Sequence, residues 1–292
     1  MFYSHLCHIW LTPDIIAARH NQIVKILFPH LFLLSPFAIF VNITMSYFMV
    51  LRKIVIGLSL FIGIVLSVLI IPFCSVLLHG DTMKSRIWLH RTNSVEKMKE
   101  FAGEYDNFEC DVIFRNPGYD VTHDENVSYG IVLDSIFHQL QLQGGMLWID
   151  LKNLSDENKS DALAELRRLT RQYDINPSRL IIESRNWHAL QLFTEKGFYT
   201  SYYVDRDSGK SNPEQFTHQL QEVADSGCVK ALSFFGEDYY FIKSRIDTDL
   251  DLLTWEHHTA REALALRPRG TLMLHDPQVK VILVKDKGTH HK

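Results

Sequence analysis

Along the chain, apolar and polar positions fall into two regimes that meet near residue 80. Residues 54–78, "IVIGLSLFIGIVLSVLIIPFCSVLL", contain no charged side chain, and 25 residues of helix exceed the ~30 Å of a bilayer's hydrocarbon layer. No face of this segment is polar, which argues against a core helix of a soluble domain. Arg52 and Lys53 precede it, so it reads as a single-pass anchor with a cytoplasmic start that delivers the C-terminal part of the chain to the non-cytoplasmic side. No small-residue cleavage pattern stands after it, so an anchor over residues 49–80 is expected rather than a removed leader.

Upstream, residues 1–48 are also strongly apolar, notably "ILFPHLFLLSPFAIFVNITMSYFMV". Only Arg52 and Lys53 separate this run from the next, too short a polar gap for two spanning helices to reverse direction. The preferred reading is that translation starts at Met49, giving "MVLRKIVIG", and that residues 1–48 are an untranslated extension. A hydrophobic hairpin or one long bent helix is the alternative.

From Arg86 the pattern becomes short apolar runs separated by amphipathic stretches. Eight candidate strands stand out: "RIWLH", "NFECDVIF", "MLWIDLKN", "RLIIES", "YTSYYVD", "VKALSFF", "DLLTWEH" and "VKVILVK". Helical periodicity fills 94–104, 129–142, 156–173, 187–196, 214–226, 237–244 and 258–266. Continuous rather than alternating apolar runs suit parallel strands covered on both faces. Eight such units in residues 81–287 predict an α/β fold, a (β/α)8 TIM barrel, behind the transmembrane helix. An open doubly wound sheet would need a glycine-rich phosphate loop after an early strand, and none occurs. "ALRPRGTLMLHDPQ" could hold a further short strand, and residues 288–292 read as a disordered tail.

Composition narrows the picture only a little. The 292 residues carry a formal net charge of −4 with no extended basic run, so nucleic acid is not an expected partner. Four dispersed cysteines show neither CxxC nor ligand-like spacing, which predicts no disulfide framework and no zinc site.

The candidate chemistry gathers where strands end, which in this fold is where active sites form. His90 closes the first strand. Glu109 and Asp111, two apart on the second, share a face while Cys110 points away. His123 comes next in "VTHDE", and Asp150 and Lys152 share a face with Trp148 in "WIDLK". Three carboxylates at one barrel mouth repel each other unless a cation offsets them, and an all-oxygen set suits magnesium or calcium. Two flanking histidines can act as general base and general acid, with Lys152 placed for a phosphate oxygen. The competing reading is a structural ion-pair site of Glu109 and Asp111 with Arg91 and Lys152, but buried pairs of that kind are costly. Trp255 could wall a pocket or stack on a head group; His257 is weaker. Glu183 reads as a surface ion pair with Arg185, and one of Tyr202 and Tyr203 must face the helices.

"HRTNS", "ECDV", His123 and "IDLK" together resemble the H-x-x-N, E-x-D, H and D-x-K series of the PI-phospholipase-C-like phosphodiesterases. That superfamily includes glycerophosphodiester phosphodiesterases, venom sphingomyelinase D and the menorin group. The resemblance implies Glu109, Asp111 and Asp150 as ligands of magnesium or calcium, and His90 and His123 as the acid–base pair. Lys152 falls at the phosphate-side lysine and Asn93 at the asparagine of the sphingomyelinase and menorin groups. Arg91 and Asp124 are more like the glycerophosphodiesterases, whose Glu-Asn-Thr motif is absent here. The implied substrate is a glycerophosphodiester or (lyso)phospholipid head group, bound with Lys152, Arg91, Asn93 and Trp255. A non-catalytic, menorin-like barrel that binds a surface ligand or partner is the alternative.

Overall fold

The computed structural model of the chain describes residues 35–78, 85–205, 212–256, 261–264 and 267–289. The expected extension before residue 35, His257 and the last three residues lie outside these. Two compact units divide the chain, residues 1–68 and 69–292. In the first, helix α1 (Ser35–Leu78) begins and passes unbroken through Arg52 and Lys53. Its Thr44–Val68 stretch, with mean hydropathy 2.2, is long and apolar enough to cross a membrane.

The second unit is the expected barrel. Its elements run β1 (Ile87–Leu89), α2 (Val95–Glu100), β2 (Phe108–Arg115), β3 (Gly118–Val121), α3 (Leu133–Gln143), β4 (Leu147–Leu151), α4 (Lys159–Gln172) and β5 (Leu180–Ser184). They continue α5 (Trp187–Glu195), β6 (Tyr199–Tyr203), α6 (Pro213–Asp225), β7 (Ala231–Phe235), α7 (Tyr239–Arg245), β8 (Asp251–Trp255), α8 (Arg261–Leu264), α9 (Pro268–His275) and β9 (Val279–Val284). All eight expected strands pair in parallel in the order β1-β2-β4-β5-β6-β7-β8-β9, and β9 returns to β1 to close the ring. Closure leaves the parallel sheet with no free edge.

Strand alternation divides the core in two. Side chains such as Leu89, Cys110, Ile149 and Ile182 pack outward against the helices, whereas Trp88, Trp148, Ile181, Leu253 and Leu283 fill the interior. The helices present matching stripes: on α4, Ala162, Leu163, Leu166 and Leu169 are buried at helical spacing. Side-chain caps fix the starts of α2 and α5, Ser94 accepting from the Lys97 N–H at 3.1 Å and Asn186 from the Ala189 N–H at 3.0 Å.

Two features depart from the pattern read in sequence. Residues 268–275, where a short strand was an option, are helical, with Pro268 at the first turn, a position that needs no N–H donor. Strand β2 also outruns the barrel: its last four residues pair antiparallel with β3, Val112 opposite Val121 and Arg115 opposite Gly118. This hairpin projects the segment that carries His123.

Gly145, just before β4, holds φ +82°, and a Cβ there would lie 1.8 Å from the Asp106 carbonyl oxygen. Gly145→Ala is therefore expected to destabilise the barrel by about 2–3 kcal/mol, from backbone strain and the steric clash together. Urea unfolding of the two chains reads this directly, and equal midpoints would contradict it.

Candidate active site

Glu109, Asp111 and Asp150 come together because their strands are neighbours in register, Asp111 directly opposite Asp150. One oxygen from each lies within 4.8 Å of the others, and all three residues are buried. Each carboxylate is held from a different side. The backbone N–H of Arg91 donates to Glu109 Oε2 at 2.6 Å. Asn93 Nδ2 donates to Asp111 Oδ2 at 2.9 Å, while Asn93 Oδ1 accepts from the Asp111 N–H at 2.9 Å. Lys152 Nζ lies 2.8 Å from Asp111 Oδ1 and also donates to Asp150 Oδ2.

These contacts set the charge distribution. Burial pushes the Glu109 carboxyl well above the usual range, and the charges of Asp111 and Asp150 add to the shift. Asp150 is likewise raised, by burial first and against the pull of Lys152. For Asp111 burial acts upward, yet Lys152 and the Asn93 hydrogen bond outweigh it and hold the carboxyl well below the usual range. Burial disfavours the Lys152 ammonium, but Asp150 and Asp111 more than reverse this and keep it protonated.

Even with Lys152 and the Arg91 guanidinium, whose Nε lies 3.9 Å from Asp111 Oδ2, Glu109 Oε1 is buried with no hydrogen-bond partner among the described residues. An unmatched carboxylate oxygen facing two others is the donor set a hard divalent cation takes. The residues present therefore fit magnesium or calcium.

The two histidines come from different elements and line the same cavity. His90, directly after β1, has Nε2 3.6 Å from Glu109 Oε2. His123, on the segment after β3, has Nε2 2.8 Å from a guanidinium nitrogen of Arg91. A guanidinium only donates, so this ring nitrogen accepts and the imidazole is neutral at Nε2. Burial lowers the His123 pKa, and Lys152 and Arg91 lower it further against the pull of Asp111.

Arg91 performs both tasks by adopting φ +54°, a conformation that costs a non-glycine residue on the order of 1 kcal/mol or more. Lys97, fully buried on α2, stabilises this turn from below. Its ammonium donates to the carbonyls of His90 (3.1 Å) and Arg91 (3.0 Å). Burial lowers its pKa to about 8 although Glu109 opposes the shift. Because an unfolded chain would keep this proton up to about pH 10.5, the unfolded state binds more protons between pH 8 and 10.5, and stability gains with pH there. Unfolding midpoints of wild type and Lys97→Met at pH 8 and pH 10 are expected to differ in slope, the variant lacking that gain.

The remaining expected residues divide. Trp255 lines the cavity above the acids and stacks on Tyr203, centroids 4.9 Å apart at 19°. Asn93 is buried behind Asp111 and bound to it at both ends, so it supports a carboxylate and does not line the cavity. Asp124 is exposed and caps its own loop by accepting from the Asn126 N–H at 2.9 Å.

Glu183 is not at the surface. It lies inside the barrel opposite Asp150 in register, 2 % exposed, and lines the same cavity. Its expected partner Arg185 lies instead over the Tyr203 ring, 4.6 Å from the centroid. Strand parity could have found this, since Glu183 and Arg185 are two apart and share the inward face with Ile181. The same parity sends Tyr202 into the outer core and Tyr203 to the mouth. A second cavity of about 230 Å3 continues outward between His123, Glu125, Lys152, Arg185 and Tyr203.

No protein-family model matches the sequence, and no curated protein matches it. Solved structures do. A candidate glycerophosphoryl diester phosphodiesterase of Silicibacter pomeroyi superposes with a TM-score of 0.53 at 16% identity, over 68% of this chain and 89% of its own. A second, from Agrobacterium tumefaciens, gives 0.52 at 14% identity, over 68% and 92%. At such low identity the likeness is one of fold: the chain shares its barrel with structures assigned to the glycerophosphodiester phosphodiesterases.

Proposed function

We propose that the chain is a metal-dependent phosphodiesterase that cleaves a glycerophosphodiester or a (lyso)phospholipid head group. The observation that carries the reading is the buried trio Glu109, Asp111 and Asp150 with its unmatched oxygen, flanked by two histidines on separate elements. The barrel shared with phosphodiesterase structures agrees with it.

Glu109, Asp111 and Asp150 would hold magnesium or calcium. Such an ion, when bound, anchors a phosphate oxygen and offsets charge that develops on it in the transition state. Lys152 and the Arg91 guanidinium supply fixed positive charge beside it. A phosphate oxygen arriving at Arg91 competes with His123 for the guanidinium and frees the Nε2 lone pair. His123 then takes the proton of the attacking hydroxyl, from water or from the substrate itself. His90, beside Glu109, gives a proton to the departing alcohol oxygen. Trp255 and Tyr203 supply an aromatic wall to the same cavity. The apolar helix Thr44–Val68 is the proposed membrane anchor, and the basic pair Arg52 and Lys53 favours a barrel on the non-cytoplasmic side.

The test is hydrolysis of bis-p-nitrophenyl phosphate and a panel of lysophospholipids by the detergent-solubilised chain. Turnover with magnesium that stops on adding EDTA is expected. Turnover indifferent to chelation would refute the mechanism. Metal binding without turnover on any diester would favour the ligand-binding barrel instead.

A further inference from the structure

The cavity of about 50 Å3 that the trio, both histidines, Arg91 and Lys152 line also reaches Trp148 and Glu183. Two polar groups on its wall take no part in the chemistry described so far. Glu183 Oε2 and Trp148 Nε1 are both buried and both without a hydrogen-bond partner among the described residues. Folded proteins seldom leave such groups unmatched, and leaving them so is costly. The two residues lie on adjacent strands, Trp148 opposite Ile181 and Asp150 opposite Glu183, so their side chains face the same space. Trp255 and Leu283 add apolar surface to its wall.

The pairing of groups selects the occupant. An indole N–H can only donate, so a second cation is disfavoured, since the positive end of that bond would face it. A carboxylate accepts. The occupant must therefore offer a lone pair and a proton on one small group. An ammonium has no lone pair, and a phosphate oxygen or an ether has no proton. Water meets both conditions, and so does an alcohol hydroxyl.

We infer that Glu183 and Trp148 form a subsite for one alcohol hydroxyl carried by the substrate close to its phosphorus. The indole N–H donates to the hydroxyl oxygen and the Glu183 carboxylate accepts its proton. Apolar contact with Trp255 and Leu283 covers the carbon that bears it. The assignment rests on the phosphodiesterase reading, which supplies the phosphate anchor at the trio.

Two ligands differing by one hydroxyl test it: 2-hydroxyethyl phosphate and ethyl phosphate, titrated calorimetrically into the full chain in detergent with magnesium. The wild-type chain is expected to bind the hydroxylated compound about 10-fold more tightly or better. Trp148→Phe, which keeps the ring and loses the N–H, and Glu183→Met, which keeps the length and loses the acceptor, should each bring that ratio close to one. Equal affinities in the wild type, or an unchanged ratio in whichever variants fold, would overturn the subsite. So would magnesium titrations showing a second bound ion that disappears in Glu183→Met. Failure to bind either phosphate would instead bring down the phosphodiesterase reading itself.

Discussion

Magnesium is expected to raise the unfolding temperature of the chain at pH 7 and to leave it nearly unchanged at pH 4. At neutral pH an unfolded chain ionises all its carboxyls near their ordinary values of about 4. In the folded barrel Glu109, Asp150 and Glu183 are all held above those values by burial first, with neighbouring carboxylate charge adding to it and, at Asp150, Lys152 opposing it. The folded state therefore binds more protons than the unfolded one, and the stability these groups contribute in acid is lost as the pH rises through their folded values. Asp111 has the opposite sign, because Lys152 and Asn93 keep it ionised, but it is one group against three. A divalent cation among the trio reverses the loss where the carboxylates are charged and has nothing to bind where they are protonated. At a hundredfold excess over its dissociation constant a ligand stabilises by ~2.7 kcal/mol, which for a domain of this size corresponds to about 5–10 °C. Asp150→Asn should remove most of the shift while raising the melting temperature of the metal-free chain. Differential scanning fluorimetry at both pH values would show it, and a magnesium effect of equal size at pH 4 would contradict the assignment.

Loss of either histidine should be the largest kinetic effect of any single substitution outside the carboxylates. His90→Ala and His123→Ala are each expected to lower kcat on a diester by about 10²–10⁴, the usual contribution of a positioned acid or base. Their effects should not multiply in the double variant, because each proton transfer depends on the other. The pH profile separates the roles. Burial and then the positive neighbours Lys152 and Arg91 hold His123 below its ordinary value, so the acidic limb of kcat/KM should lie below pH 6.5. Arg91→Met removes one of those positive charges and should move this limb to higher pH, whatever it does to the rate. A limb that stays in place would mean that His123 is not the base.

Much of this arrangement was legible in the chain because barrel geometry converts spacing into position. Glu109 and Asp111 two apart, and Asp150 and Lys152 two apart, had to share a face once their segments were strands. Adjacency of the second and third barrel strands then had to bring the trio together. Glu183 was misplaced because a carboxylate beside an arginine in "IIESRN" looks like a surface pair; its inward orientation emerges only when parity is carried along the whole strand. Lys97 sits in an ordinary charged helix, "VEKMKE", and nothing local shows that its ammonium turns inward to two carbonyls. The β2–β3 hairpin escaped notice for another reason. Its second arm, "GYDV", is four residues long and its register depends on a partner that the apolar pattern had already assigned to the barrel.

That hairpin divides the proposed chemistry between two kinds of scaffold. His90 and all three carboxylates sit on or directly after strands of the closed ring, whereas His123 rides outside it on a loop secured by its own short-range bonds. Arg115 reaches Asp120 at 3.1 Å and the Glu125 carbonyl at 2.6 Å, and Ser128 reaches Asp120 at 3.0 Å. Tyr119 and Val121 at the hairpin's base belong to the core, and Tyr119 donates to the Ala162 carbonyl at 2.6 Å, but the tip from Asp124 to Gly130 is almost wholly exposed. Lengthening, shortening or exchanging it would alter which molecules are processed and at what acidity, without disturbing the frame beneath. Evolution or an engineer could retune the protein by editing the seven residues that follow His123.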